Sequence, residues 1–155
     1  MATPSPTIVV PVDFSPSSKG ALERAQELAS RLGATLTLVH VLDETFYAFT
    51  PPGMPPLPPA YLSDLEERLL GHLETDATEV RKAGVPCDVK VLRGHPANAL
   101  LAFLDEAKPV MAVMGTHGRT GWQHALLGSV AERVVRRASC PVLVVPDADR
   151  PRAGA

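Results

Sequence analysis

Cysteine is scarce in this 155-residue chain: Cys87 and Cys140 are the only two, too few and too far apart for a disulfide framework or a paired-cysteine zinc site. Both read as small apolar core side chains. No apolar run approaches the roughly 18 residues a membrane span requires, which argues against membrane contact. The opening Met1-Ala-Thr-Pro-Ser-Pro6 has neither the basic nor the apolar region of a secretion signal, so a cytoplasmic location is expected. Neither sign of charge predominates, since fifteen Lys and Arg face seventeen Asp and Glu for a net charge of -2. That balance removes the bulk electrostatic case for nucleic-acid binding. There is no internal repeat, and the length suits a single domain over residues 1–155.

What is present is an alternation of short β-branched runs with helical stripes. Thr7 to Val12 predicts a strand buried on both faces, and Asp13 with a Ser/Pro turn follows it. Ser15 or Ser17 can then cap a helix whose Ala21, Leu22, Ala25, Leu28, Ala29 and Leu32 face inward, with Gly33 at its end. Ala34 to Leu42 predicts the second strand. Residues 43–60 hold six prolines between Pro51 and Pro59, interleaved with Phe46, Tyr47 and Phe49 nearby, and predict an irregular excursion. Ser63-Asp-Leu-Glu66 has the form of a capping box opening a helix through Leu62, Leu65, Leu69, Leu73, Ala77 and Val80. A strand over Cys87–Leu92, a helix over Pro96–Lys108 with Ala97, Leu100, Leu101, Leu104 and Ala107 inward, and a strand over Val110–Met114 come next. A helix from Ser129 to Ala138, burying Val130, Val134, Val135 and Ala138, precedes a last strand over Val142–Val145; the tail from Asp147 reads as frayed. Five strands alternating with four helices imply an α/β fold, an open parallel sheet covered on both faces.

The chemistry concentrates in Gly115-Thr-His-Gly118-Arg-Thr-Gly121, which leads from the fourth strand to Gly128-Ser129 at a helix start. Glycines there permit close backbone approach, so that successive N–H groups form a concave anion nest, and the helix adds unpaired donors and its positive dipole end. The anion is constrained by exclusion. No lysine follows Lys108, so there is no Walker A loop, and the first strand ends in Pro11-Val-Asp13 without a Gly-x-Gly-x-x-Gly dinucleotide fingerprint.

The spacing Gly115-x2-Gly118-x9-Gly128-Ser129, with Ile8-Val-Val-Pro-Val-Asp13 near the start and Ser139-Cys-Pro-Val-Leu-Val-Val145 at the end, resembles the universal stress protein family over about residues 7–146. The glycine pattern is similar to that of the family's ATP-binding branch. The resemblance implies a Rossmann-like five-stranded sheet of order 3-2-1-4-5 and a homodimer formed through Val142–Val145. It implies that Pro11, Val12 and Asp13 contact the nucleoside, that the Val41 backbone meets adenine, and that Met114 and Gly115 border the ribose. Gly118, Arg119, Gly128, Ser129 and Val130 would surround the triphosphate of ATP, with Mg2+ alongside.

Each feature also has a plainer role. Asp13 can cap a turn, the glycines can merely bend the chain, Arg119 can be a solvated charge and Ser129 a helix cap. His40, His117 and His124 fit no standard metal spacing, so no protein-only metal site is expected. The aromatic group at 46–49 reads as an anchor for the excursion, and Arg133, Arg136 and Arg137 as a solvated face. His95 precedes Pro96 where many relatives carry an aspartate, which makes a weak helix cap. No catalytic nucleophile or base stands out. What the resemblance implies, with no such group in view, is an ATP-binding, cytoplasmic stress-response regulator that acts through nucleotide-linked conformational or assembly change on an unknown protein partner. The alternatives are a dimeric interaction module with a vestigial nucleotide site, or a slow ATP hydrolase.

Overall fold

Strands whose two faces are both apolar can be buried only between two layers of helices, and this chain folds accordingly. The structure, a computed structural model, describes residues 5–49, 51–117 and 127–147. Its strands are β1 (Thr7–Pro11), β2 (Thr35–Leu42), β3 (Cys87–Arg93), β4 (Met111–Gly115) and β5 (Val142–Val145). They form one parallel sheet of order β3-β2-β1-β4-β5. The helices among the described residues are α1 (Pro16–Leu32), α2 (Glu44–Ala48), α3 (Pro59–Lys82), α4 (Pro96–Ala107) and α5 (Ser129–Arg137).

Alternation along the strands separates two cores. Ile8, Val10 and Val12 pack with Ala21, Ala25 and Ala29 of α1 and Leu73, Ala77 and Val80 of α3. Val9, Val39, Ala112 and Met114 face the other way, onto Leu100 and Leu104 of α4 and Ala131 and Val134 of α5. Among the described residues no helix is long and apolar enough to cross a membrane.

The alanine stripe lets α1 lie close against the sheet, and its first turn reaches the end of β4. A Cβ on Gly115 would stand 2.8 Å from both the carbonyl carbon and oxygen of Ser17, and closer still to Ser17 Oγ. Glycine at 115 is thus required by the approach of α1. Ser15 caps that helix, accepting a hydrogen bond from Ser18 N at 3.2 Å, and Gly33 ends it at φ 62°.

Several expectations need correction. The excursion after β2 is not irregular throughout, because Asp43 accepts from Thr45 N at 3.0 Å and caps the short α2. Five residues are too few to show a period. The proposed capping box at Ser63–Glu66 lies inside α3, which starts four residues earlier at Pro59, a proline being well suited to the first helical position. Glu66 instead pairs with Arg93 at the end of β3. Leu32, Ala107 and Val135 are exposed because each lies where its helix has turned away from the sheet. Phe49 is 78% exposed, whereas Tyr47 packs on Tyr61 at 6.1 Å between ring centroids. Cys87 is buried as expected and Cys140 only half-buried. Burial pushes the Cys87 thiol up to about 11, so it stays protonated at neutral pH.

Two outcomes follow from the packing. Gly115→Ala should destabilise by about 1–3 kcal/mol, read from the urea midpoint, and adding Ser17→Ala should not restore it because the clashing carbonyl remains. At α4 the N-cap His95 makes no side-chain cap bond. His95→Asp should therefore raise stability by about 1 kcal/mol, through both a cap and a favourable charge at the helix start.

Candidate functional site

The crossover from β1 through α1 and the crossover from β4 through α5 lie on opposite faces of the sheet, so the adjacent carboxyl ends of β1 and β4 form a topological switch point. Two chain segments line it. One is Pro11–Ser15, leading into α1, and the other begins at Gly115.

On the first side β1 stops pairing at Pro11, opposite Val39, while β2 runs on to Leu42. Val12 N still donates to Val39 O at 2.8 Å. Successive peptide groups of a strand point to alternate sides, so Val41 directs its N–H and C=O the same way as Val39, toward ground that β1 no longer occupies. Even-numbered groups face β3, as the bond from Gly94 N to Leu42 O at 3.1 Å illustrates. The Val41 backbone thus presents a donor and an acceptor side by side at the crevice.

Asp13 follows at once. Its Oδ1 accepts from Ser15 N at 3.0 Å and from Ser15 Oγ at 2.5 Å, and Ser15 Oγ in turn accepts from Ser18 N. The plainer role foreseen for Asp13 is therefore real: it fixes the turn that feeds α1. It also fixes the carboxylate, half-buried at the mouth of the crevice.

On the second side Gly115 ends β4 and Thr116 is buried, its carbonyl accepting from Gly128 N at 2.6 Å. That bond closes the base of the loop between the two residues. His117 N donates to Ser17 Oγ at 3.4 Å, tying this side to α1, and His117 Nδ1 lies 2.9 Å from Thr116 Oγ1. Asp147, where the tail was expected to fray, stands with Oδ2 3.7 Å from the same ring nitrogen, beyond hydrogen-bond reach. Its Oδ1 is buried and has no partner among the described residues. Gly128 is the N-cap of α5 and brings no side chain to its first turn, which Ser129 opens.

The expected site residues divide by what they can offer. Val12 and Met114 are buried in opposite cores, and Pro11, Val41 and Val130 are half-buried; the Val12 N–H and C=O are already taken by Val39 O and His40 Nδ1. Asp13 follows the carboxyl end of β1, Gly115 ends β4, and Gly128 and Ser129 open α5. Gly118 and Arg119, like His124, lie outside the described residues. Thr116 and Asp147 were not singled out as site residues, and Ser17 was singled out only as a possible helix cap. Among the described residues no three His, Cys, Asp or Glu side chains gather to hold a metal ion.

The chain has relatives along nearly its whole length. Residues 5–146 match the Universal stress protein family. A universal stress protein of Methanocaldococcus jannaschii is 37% identical over 139 residues, which is 89% of this chain and 80% of that relative. The solved universal stress protein UspA from Lactobacillus plantarum shares the fold, with a TM-score of 0.79 at 23% identity over 93% of this chain and 99% of that one. A universal stress protein solved in complex with cAMP has a TM-score of 0.65 at 26% identity, over 94% of this chain and 100% of that one. By this match along nearly its whole length, and by the sheet order that carries it, the chain belongs to the universal stress protein family.

Proposed function

We propose that this protein is a cytoplasmic ATP-binding stress-response regulator that works by changing shape or assembly when nucleotide binds. The carrying observation is the paired donor and acceptor of the Val41 backbone, set beside Asp13 and across from Gly115 and the start of α5. An adenine edge offers the complementary acceptor and amino donor. The nucleoside then lies over Pro11, Val12 and Asp13, with its ribose against Met114 and Gly115. Gly118, Arg119, Gly128, Ser129 and Val130 surround the phosphates, where helix amides and dipole favour negative charge. Mg2+ accompanies the triphosphate, neutralising part of its charge. The relative solved with cAMP supports an adenine nucleotide as the ligand class.

The reading is one of binding, not turnover. Asp13 Oδ1 already accepts two hydrogen bonds from Ser15, which suits a positioned acceptor better than a mobile base. In calorimetric titrations with MgATP, Gly118→Val combined with Gly128→Val should weaken binding by about tenfold or more, roughly 1.4 kcal/mol per decade. Unchanged affinity would remove the phosphate cradle from the account. A hydrolase would show turnover abolished by Asp13→Ala, and measurable turnover of that kind would replace this reading.

Assembly has its own observation. β5 is an edge strand of four residues with Leu143 39% exposed, and an apolar edge can pair with the same edge of a second copy. Homodimerisation through Val142–Val145 follows, and it holds even if the nucleotide site is vestigial. Light scattering should find a dimer that Val144→Pro converts to monomer, since by the alternation of the strand the Val144 N–H faces the free edge while that of Leu143 faces β4; a monomeric parent protein would refute the edge pairing.

A further inference from the structure

The turn from β1 to α1 contains a conformation that its residue disfavours. Phe14 has φ 63°, in the left-handed region where a side chain crowds the backbone. The other non-glycine residue described with positive φ, Lys108, ends α4 at φ 46°, an ordinary place for it. Phe14 ends no helix. It sits between Asp13 and the cap residue Ser15, at the mouth of the crevice. Glycine would adopt this conformation readily, so the backbone alone gives no reason for a phenylalanine.

The ring supplies one. It lies between two imidazoles, His40 of β2 at 5.0 Å between centroids and His72 of α3 at 5.7 Å, the latter edge-on at 84°. His40 is itself held by the turn, its Nδ1 donating to Val12 O at 2.7 Å. The ring also packs on the core shared by α1 and α3. A strained residue persists where its surroundings over-determine it, and such residues gather at ligand clamps. A mechanical chain is thus visible from α3 and β2, through the ring, to the turn that holds the Asp13 carboxylate.

We infer that Phe14 is a positioning residue for nucleoside recognition: its ring, gripped by His40 and His72, enforces the left-handed turn that aims Asp13 into the crevice. This assignment rests on the adenine-nucleotide reading of the site. It adds that α3, which makes none of the proposed nucleotide contacts, sets the geometry of one that does. Phe14 acts only through its neighbour, so its loss should affect nucleoside contacts and spare phosphate contacts.

The test uses Phe14→Gly, which keeps the conformation available but removes the ring, Phe14→Tyr, which restores a ring, and His72→Ala, which removes one side of the grip. Below the unfolding temperature, Phe14→Gly should weaken ATP and adenosine binding by about tenfold, His72→Ala by about threefold, and Phe14→Tyr by less than about threefold. Displacement by inorganic tripolyphosphate should be unchanged in all three; a general loosening of the fold would weaken it too and would overturn the inference. Without any nucleotide, hydrogen exchange at the Ser15 amide, whose bond to Asp13 reports the carboxylate's placement, should quicken in Phe14→Gly and His72→Ala. Wild-type affinity together with wild-type Ser15 exchange in Phe14→Gly refutes the role. Should that variant fail to fold, the same result in His72→Ala, an exposed position, refutes it. Wild-type protein that binds no adenine nucleotide would sink the functional reading, whereas Ser15 exchange would still decide whether the ring sets the turn.

Discussion

The first turn of α1 can reach the end of β4 only because residue 115 carries no side chain. With Ser17 carbonyl atoms 2.8 Å from where a Cβ would stand, even one methyl group would push the helix off the strand end. Much else hangs on that approach. Ser17 Oγ meets the His117 amide across the gap, Thr116 is buried beneath it, and the Thr116 carbonyl is then placed to close the loop through Gly128. The crevice has two lips at a defined separation because a helix belonging to one is wedged against the strand belonging to the other. The alanines at 21, 25 and 29 serve the same end, since larger residues there would lift the helix along its whole length.

A site built this way depends little on the identity of most residues that surround it. Val12, Met114 and Val41 are chosen for the cores or the sheet, and of the three only Val41 aims its peptide groups past the end of β1. Side-chain chemistry enters at few points, Asp13 foremost. This division explains how relatives of modest identity, such as the one solved with cAMP at 26%, retain nearly the whole architecture. Replacing one aliphatic residue by another leaves a backbone donor and acceptor where they were.

The same division decides what could be read in advance. Strands β1, β4 and β5 were visible because runs such as Thr7–Val12 and Val142–Val145 are short, β-branched and bounded by turn residues, and the sheet order followed from the motif resemblance. α1 was legible from its alanine stripe and terminal Gly33. α2 was not, since Glu44–Ala48 is shorter than two helical turns. The start of α3 was misplaced because Pro59, read as the end of a proline-rich segment, is also an excellent first helical residue. The places of Asp13 and Gly115 at strand ends and of Gly128 before a helix were legible from spacing. Those of Ser17, Asp147 and the imidazoles flanking Phe14 were not, because their roles arise from contacts between distant segments that carry no local pattern.

The Thr116–Gly128 clasp carries a consequence for how this scaffold diversifies. A 2.6 Å bond from Gly128 N to Thr116 O joins the residue after β4 to the cap of α5. The end of β4 and the start of α5 are thus fastened to each other directly. Because the clasp is made of peptide groups alone, the side chain at Thr116 can change without undoing it.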